Sequence, residues 1–145
     1  MNLHYAAGFF DGEGCFGFYL NRTRNDQLVP RVQIVNTDRE ILEQFQESFR
    51  GNVRSMYRAK ANWRPAYMWV ATSKTALDFM DAVADYLVVK HRQGVLARTF
   101  MKERPGSNKS WDPEVKQLFI DQSKWLNWRG TGRPESSPAE IAATG

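Results

Sequence analysis

Residues 6–14 read AAGFFDGEG, and this stretch has the pattern of a short helix that stops in front of a strand. The run is apolar and rich in small residues, and glycines at its end are a helix-stop signal. Gly8 and Gly12 are four residues apart, so they share one face of a helix and would let a second helix approach closely. Glu13 follows at the helix end, where two crossing copies would bring two carboxylates together.

An alternating hairpin follows this stretch. Cys15–Thr23 and Val29–Asn36 both alternate with a period of two, and the polar residues between them predict a turn. Large apolar side chains such as Phe16, Phe18 and Ile34 fall on one face and are predicted to form core. The other face suits the major groove of DNA, where arginine pairs guanine and amides pair adenine, because it carries Tyr19, Asn21, Arg31 and Gln33.

A helix and a second hairpin are predicted next. Thr37 and Glu40 match a capping box, which opens the helix. Val53–Lys60 and Ala66–Thr72 then form the second hairpin. If Val53 and Tyr57 point to the core, three basic side chains lie on the outward face: Arg54, Arg58 and Lys60.

Three further helices complete the predicted order. Ser73 caps the first, and the second covers about Lys90–Lys102. The third begins at Asp112, with a proline in its first turn, and continues to about Trp128. The order αββαββα with extra helices predicts an α/β (α+β) fold, in which helices back one face of a four-stranded antiparallel sheet. Residues 1–128 would form this domain, and the small and polar residues of 129–145 predict a flexible tail.

The charges are unevenly distributed along the 145 residues. The net charge is +4, and the stretch from Ser48 to Leu77 has six basic residues and no acidic ones. A basic surface of this kind favours an anionic partner, although a solvated face would show the same composition. We expect three more basic residues to contact DNA: Arg22, Arg24 and Arg64.

Several classes of protein and site are disfavoured by what the sequence lacks. The single cysteine, Cys15, excludes an internal disulfide and a cysteine-based zinc site. No apolar run reaches the length of a membrane span, and the N-terminus lacks the pattern of a secretory signal. We therefore expect an intracellular protein with no membrane partner.

Residues 6–14 also resemble the nine-residue motif that names the LAGLIDADG homing endonuclease family. Tyr5 before the motif and the strand after it fit the family as well, and the resemblance covers about 1–128. Ala6 replaces the leading leucine, aromatic residues replace the central aliphatic ones, and Glu13 replaces the second aspartate but keeps the carboxylate. The resemblance implies a saddle-shaped sheet, an intron-encoded nuclease for double-stranded DNA, and Mg²⁺ as cofactor, with Mn²⁺ or Ca²⁺ able to substitute for binding.

The family's functional positions carry over residue by residue. Glu13 and Gly12 match the metal site, Asn36 matches the polar residue at the end of the second strand, and Lys90 matches the basic residue after the third helix. The resemblance thus implies Glu13, Asn36 and Lys90 as catalytic residues. It also places part of the motif helix at a dimer interface, through Ala7, Gly8, Asp11 and Gly12.

One motif in the chain implies a homodimer and a long, nearly palindromic target, because the family uses two motifs in each active unit. Two alternatives stay open. One is a nucleic-acid binder of the same fold that does not cleave, such as an intron RNA maturase or a DNA-binding regulator. The other is a small structural domain without a nucleic-acid partner, which the segregation of charge disfavours.

Overall fold

The computed structural model describes residues 1–56, 62, 64–105 and 110–138. The described chain confirms the predicted order αββαββα, with two more helices after it. Its main elements are α1 (Leu3–Glu13), β1 (Gly14–Asn21), β2 (Gln27–Asn36), α2 (Arg39–Phe49), β3 (Asn52–Met56), β4 (Ala66–Thr72), α3 (Ser73–Val83), α4 (His91–Glu103) and α5 (Pro113–Leu126). None of the helices in these ranges is both long and apolar enough to cross a membrane.

The four strands form one antiparallel sheet in the order β1-β2-β4-β3. The β1–β2 hairpin pairs from Gly14 opposite Ile34 to Asn21 opposite Gln27. Because β1 begins at the residue after α1, the helix ends directly at one corner of the sheet.

The helices cover one face of the sheet and leave the other available. Phe16, Ile34 and Trp69 point to the helix side and are fully buried. The indole ring of Trp69 packs against Phe45 of α2 and Phe79 of α3, with ring centroids 5.5 Å and 5.1 Å apart. Neighbouring residues on each strand point the opposite way, as the period of two requires, so they form the second face of the sheet.

The two glycines at the end of the first helix have different roles. α1 continues through Gly12 and ends at Glu13, and Gly14 is its cap residue, whose backbone N–H donates to the carbonyl of Phe10. A Cβ on Gly14 would overlap the buried ring of Phe10. Gly14, and not Gly12, is therefore the residue that the helix end requires.

Two predicted helix caps are wrong. Asp38, and not Thr37, caps α2, since its carboxylate accepts from the N–H groups of Glu40 and Ile41. Ser73 is the first residue of α3, whose cap residue Thr72 makes no side-chain capping bond. In both cases, neighbouring residues of similar chemistry compete for the cap position and the backbone path decides between them.

The end of the chain that the structure describes differs from the predicted flexible tail. After α5 the chain turns back along the helix, and the indole N–H of Trp125 donates to the carbonyl of Pro134 at 3.0 Å. The guanidinium of Arg133 lies 3.8 Å from the centroid of the same ring. A buried indole N–H requires an acceptor, which the returning chain supplies. Of the predicted tail, 129–145, only the last seven residues, 139–145, lie outside the described part.

Candidate active site and nucleic-acid interface

The end of α1 presents a carboxylate without a partner. Glu13 is the last residue of the helix and is exposed, and its side chain makes no hydrogen bond or ion pair with any residue in the described ranges. Since Gly14 pairs with Ile34, Asn36 lies at the same end of the hairpin as Glu13. The structure thus brings these two predicted site residues to one corner of the sheet.

A set of hydrogen bonds fixes Lys90 at this corner. The carboxylate of Asp11 accepts from the backbone N–H groups of Val88 and Lys90, both at 2.9 Å. The ammonium of Lys90 donates in turn to the backbone carbonyl of Asp11 at 2.6 Å. These bonds join the end of α1 to the start of α4 and hold the lysine beside the helix end.

The same bonds give Asp11 a structural role that sequence reasoning missed. Both of its carboxylate oxygens accept hydrogen bonds from its own chain, and its place at a dimer interface stays a prediction. Sequence spacing could not reveal this, because the partners lie 77 and 79 residues away.

Burial and nearby charges shift the pKa of Lys90. Burial lowers the pKa of Lys90 and nearby Arg129 lowers it further, while Asp11 and Glu13 act in the opposite direction. Burial also raises the pKa of the Cys15 thiol, against the effect of Arg129 and Lys90. The charges of Lys90 and Arg129 thus both act on the thiol. Arg129 was missed by the sequence reasoning, which assigned it to the tail.

Asn36 uses one end of its amide within its own chain. Its Oδ1 accepts from the backbone N–H of Asp38 at 2.8 Å, in the turn that leads into α2. Its Nδ2 makes no hydrogen bond with the part of the chain that the structure describes. The side chain is half-buried, so it can offer a donor at the corner beside Glu13.

The sheet face opposite the helices carries four of the ten residues that are predicted to contact DNA. Arg31 pairs with Gly17 on one side and Thr72 on the other, and Arg54 pairs with Met68. This face, called the reading face below, includes four predicted contacts: Tyr19, Arg31, Gln33 and Arg54. Tyr19 and Arg54 are exposed, whereas Arg31 and Gln33 are half-buried.

Arg31 has donors that its own chain does not fully use. Its Nη2 lies 3.9 Å from the sulfur of Met68, and its buried Nε has no partner within the described residues. A buried donor without an acceptor is costly, so an external acceptor at this position would be favourable.

Four further predicted contacts lie at or beside the ends of the strands. Asn21 ends β1, where its Oδ1 accepts from the N–H of Thr23, and Arg22 and Arg24 are exposed in the short 3-10 turn that follows. Arg64 is exposed just before β4. The last two predicted contacts, Arg58 and Lys60, lie outside the described residues.

Comparison with known proteins decides the family. The family model described as LAGLIDADG endonuclease matches residues 6–94, which is more than half of the chain. The chain belongs to the LAGLIDADG endonuclease family. No curated protein sequence gives a significant match.

Solved structures of LAGLIDADG endonucleases have the same fold. I-CvuI bound to its target matches with a TM-score of 0.67 at 23% identity, over 91% of this chain and 85% of that one. The archaeal intron-encoded I-Vdi141I, complexed with DNA, matches with a TM-score of 0.53 at 21% identity, over 84% of this chain and 96% of that one. At such low identity the likeness shows the fold.

The LAGLIDADG helix, α1, presents a flat exposed face. Gly8 and Gly12 are exposed, and a Cβ built on either would meet nothing within 4 Å. Ala7 was predicted on this face, but this is wrong because Ala7 is fully buried in the core of its own chain. It lies one position from Gly8, on the side of the helix that packs inward.

Exposed apolar side chains surround this face, and the sequence reasoning missed them. Val88 and Val89 are 81% and 75% exposed, in the segment that Asp11 binds at the end of α1. Tyr5 is 51% exposed on the helix itself. Large apolar groups that cluster at the surface are typical of interaction sites.

A divalent metal fits this corner only in part. In the described ranges no group of three or more His, Cys, Asp or Glu residues could hold a metal ion. Glu13 nevertheless supplies an oxygen ligand of the kind that Mg²⁺ prefers, beside the exposed backbone of Gly12. Among the described residues of this corner, Glu13 is thus the carboxylate that is free to bind a cation.

Proposed function

We propose that the protein is a homing endonuclease that hydrolyses phosphodiester bonds in double-stranded DNA, as a homodimer and with Mg²⁺. The observation that supports this most is the exposed carboxylate of Glu13, which has no partner in the described chain. It lies at the corner of the reading face, near Lys90, which two hydrogen bonds with Asp11 hold in place. A structural domain without nuclease activity has no need of this arrangement.

Each residue of the corner has a chemical task in the proposed reaction. Glu13, with Gly12 beside it, would hold the metal, which activates water and stabilises the leaving oxygen when bound. Lys90 places positive charge where negative charge develops on the phosphate. Asn36 offers its Nδ2 as a donor that orients water, since an amide cannot act as a base at neutral pH.

The exposed face of α1 supports the proposed homodimer. A twofold axis beside Gly8 and Gly12 would let two copies of α1 cross at close distance and would cover Val88 and Val89. It would also bring together the two Glu13 carboxylates, so that the two half-sites complete each other.

The reading face would supply the contacts to DNA. Arg31, Gln33 and Arg54 can reach base edges in the major groove, where arginine pairs guanine and glutamine pairs adenine. Since both subunits of a twofold dimer present the same face, the expected target is long and nearly palindromic.

Selective cleavage of a DNA library tests the activity. The purified protein is incubated with a library of candidate insertion sites in Mg²⁺ or in EDTA, and the cut ends are sequenced. We expect cleavage of one long, nearly palindromic site in Mg²⁺ only. Binding of DNA or intron RNA without cleavage in either buffer would contradict the enzyme and favour the binder of the same fold.

Glu13→Gln tests the role of the carboxylate. The substitution keeps the size of the side chain and removes its charge, so we expect cleavage to fall by about a hundred- to a thousandfold, the order of effect seen when a key electrostatic group is lost. Dimerisation and DNA binding should remain, as measured by sedimentation and by gel shift.

Glu47→Gln is the matched control for this variant. Glu47 is an exposed glutamate on α2, away from the corner, and its substitution should leave cleavage unchanged. Normal cleavage by Glu13→Gln would show that the metal assignment is wrong.

A further inference from the structure

The end of α5 is bonded to the corner of the sheet at which α1 ends. The Nδ2 of Asn127 donates to the backbone carbonyl of Phe16, near the start of β1, at 2.6 Å. The Nε2 of Gln93 donates to the carbonyl of Leu126 at 3.3 Å, and Gln93 lies in the first turn of α4, shortly after Lys90. The end of α5 therefore meets both the start of β1 and the start of α4.

Arg129 follows directly after this bonded turn. The indole N–H of its neighbour Trp128 donates to the carbonyl of Thr131 at 3.3 Å. Gly130 lies between them with a φ of 85°, a conformation that glycine adopts readily and other residues rarely do. The chain thus turns at Arg129, and the bonds on both sides of the turn fix its backbone.

The charge of Arg129 acts on the corner, although its guanidinium has no direct partner. Arg129 is exposed and makes no hydrogen bond or ion pair within the described ranges. Burial lowers the pKa of Lys90 and raises that of the Cys15 thiol, and the charge of Arg129 acts on both groups. Two cations therefore act at the corner that carries Glu13, and like charges of this kind favour an anion between them.

The two cations differ in what they can still bind. The ammonium of Lys90 already donates to the carbonyl of Asp11 at 2.6 Å, which leaves two N–H donors on a fixed group. The guanidinium of Arg129 keeps all of its donors, and its planar fork matches two oxygens of a phosphate. An arginine stays protonated in proteins, so it would contribute charge and hydrogen bonds and transfer no proton.

We propose that Arg129 is a further catalytic residue, which binds the non-bridging oxygens of the phosphate at the cleavage site. Its charge counters the negative charge that grows on these oxygens as water attacks phosphorus and the bond to the leaving oxygen breaks. The segment after α5, which the sequence predicts to be a flexible tail, thereby becomes part of the active site. This inference rests on the proposed function.

Arg129→Ala tests this role, with Arg104→Ala as the matched control. Both arginines are exposed, but Arg104 lies at the end of α4 that is opposite to Lys90. We expect single-turnover cleavage of the target site in Mg²⁺ to fall by about a hundred- to a thousandfold in Arg129→Ala and to be unchanged in Arg104→Ala. Affinity for the same duplex in EDTA should fall by less than about tenfold, because one phosphate contact among many is lost.

Chemical rescue separates a contact with phosphate from a structural role. Guanidinium ion, added below the concentrations that unfold the protein, should restore part of the cleavage by Arg129→Ala and should leave Arg104→Ala unchanged. Arg129→Lys keeps the charge but loses the planar fork, so its cleavage rate should lie between those of the wild type and Arg129→Ala. A loss that neither guanidinium nor lysine restores would assign Arg129 a structural role and overturn the proposal. Wild-type cleavage by Arg129→Ala, or equal losses of affinity and cleavage, would overturn it as well.

A binding measurement separates failure of this inference from failure of the proposed function. In EDTA, affinity is measured for target duplexes in which one phosphate at a time is replaced by an uncharged methylphosphonate. The replacement at the cut linkage should weaken binding of the wild type but not of Arg129→Ala. If the two proteins differ only at another linkage, Arg129 does not bind the phosphate that is cut and the inference fails while the nuclease stands. A wild type that cuts no DNA but differs from Arg129→Ala at one linkage would contradict the nuclease and support the phosphate contact of Arg129. A wild type that binds no duplex would overturn both.

Discussion

Gly14 occupies the point where the LAGLIDADG helix ends and the sheet begins. A Cβ there would overlap the ring of Phe10, which is fully buried and cannot swing away without opening the core. Overpacking of this kind costs about 1–3 kcal/mol, so Gly14→Ala should lower the free energy of unfolding by about 2 kcal/mol. Urea denaturation followed by circular dichroism measures this change.

Gly17→Ala is the control at the residue scale. A Cβ on Gly17 would lie 3.6 Å from Nδ2 of Asn127, an ordinary contact, so the free energy of unfolding should change little. If Gly14→Ala were as stable as the wild type, the close packing of the Phe10 ring at this position would be contradicted.

The sequence contained enough to predict some site residues and too little for others. The position of Glu13 follows from its place at the end of an apolar helix, and the structure brings Asn36 and Lys90 to the same end of the sheet. Their catalytic roles stay proposals. The binding of Val88 by Asp11 and the neighbourhood of Arg129 could not be predicted, because both depend on the path of the chain between distant segments.

Whole elements followed from periodicity, but their ends and their packing partners did not. The alternation of apolar residues predicted each strand of the first hairpin, and the amphipathic stripes predicted the helices. The predicted cap of α2 was wrong because Thr37 and Asp38 are neighbours with similar capping chemistry, and Asp38 occupies the cap position. The docking of α5 against the outer strand β1 was not visible either, because an apolar stripe does not say which surface covers it.

The junction between α5 and β1 provides a test at the scale of elements. The Nδ2 of Asn127 donates to the backbone carbonyl of Phe16 at 2.6 Å and so satisfies an acceptor of the edge strand. Asn127→Asp replaces the donor by a carboxylate facing that carbonyl. We expect a loss of about 1–3 kcal/mol in the free energy of unfolding, measured by urea denaturation at neutral pH.

Asn52→Asp introduces the same chemical change at an exposed position on β3 and should have little effect. The loss in Asn127→Asp should shrink at a pH low enough to protonate the new carboxyl group, which regains a donor. Equal stability of the two variants at neutral pH would show that α5 does not depend on this bond to hold the edge of the sheet.

At the scale of the whole molecule, the proposed homodimer accounts for several features at once. The chain has one motif, one unpartnered carboxylate at the corner and one reading face, and the face of α1 is exposed together with Val88 and Val89. Each of these features is accounted for if a twofold axis lies beside Gly8 and Gly12. The assembly can be tested without knowledge of the DNA target.

Gly8→Leu should weaken the dimer, because the new side chain would project into the open space above α1 and hold the second helix away. Sedimentation equilibrium should show a dissociation constant raised by at least about a hundredfold, which corresponds to roughly 2.7 kcal/mol. Leucine favours a helix more than glycine does, so misfolding of the monomer would not explain the loss. Lys124→Leu adds the same side chain to the exposed surface of α5 and should leave the dimer intact. A wild-type protein that stays monomeric at micromolar concentrations would refute the homodimer, and with it the shared site at Glu13.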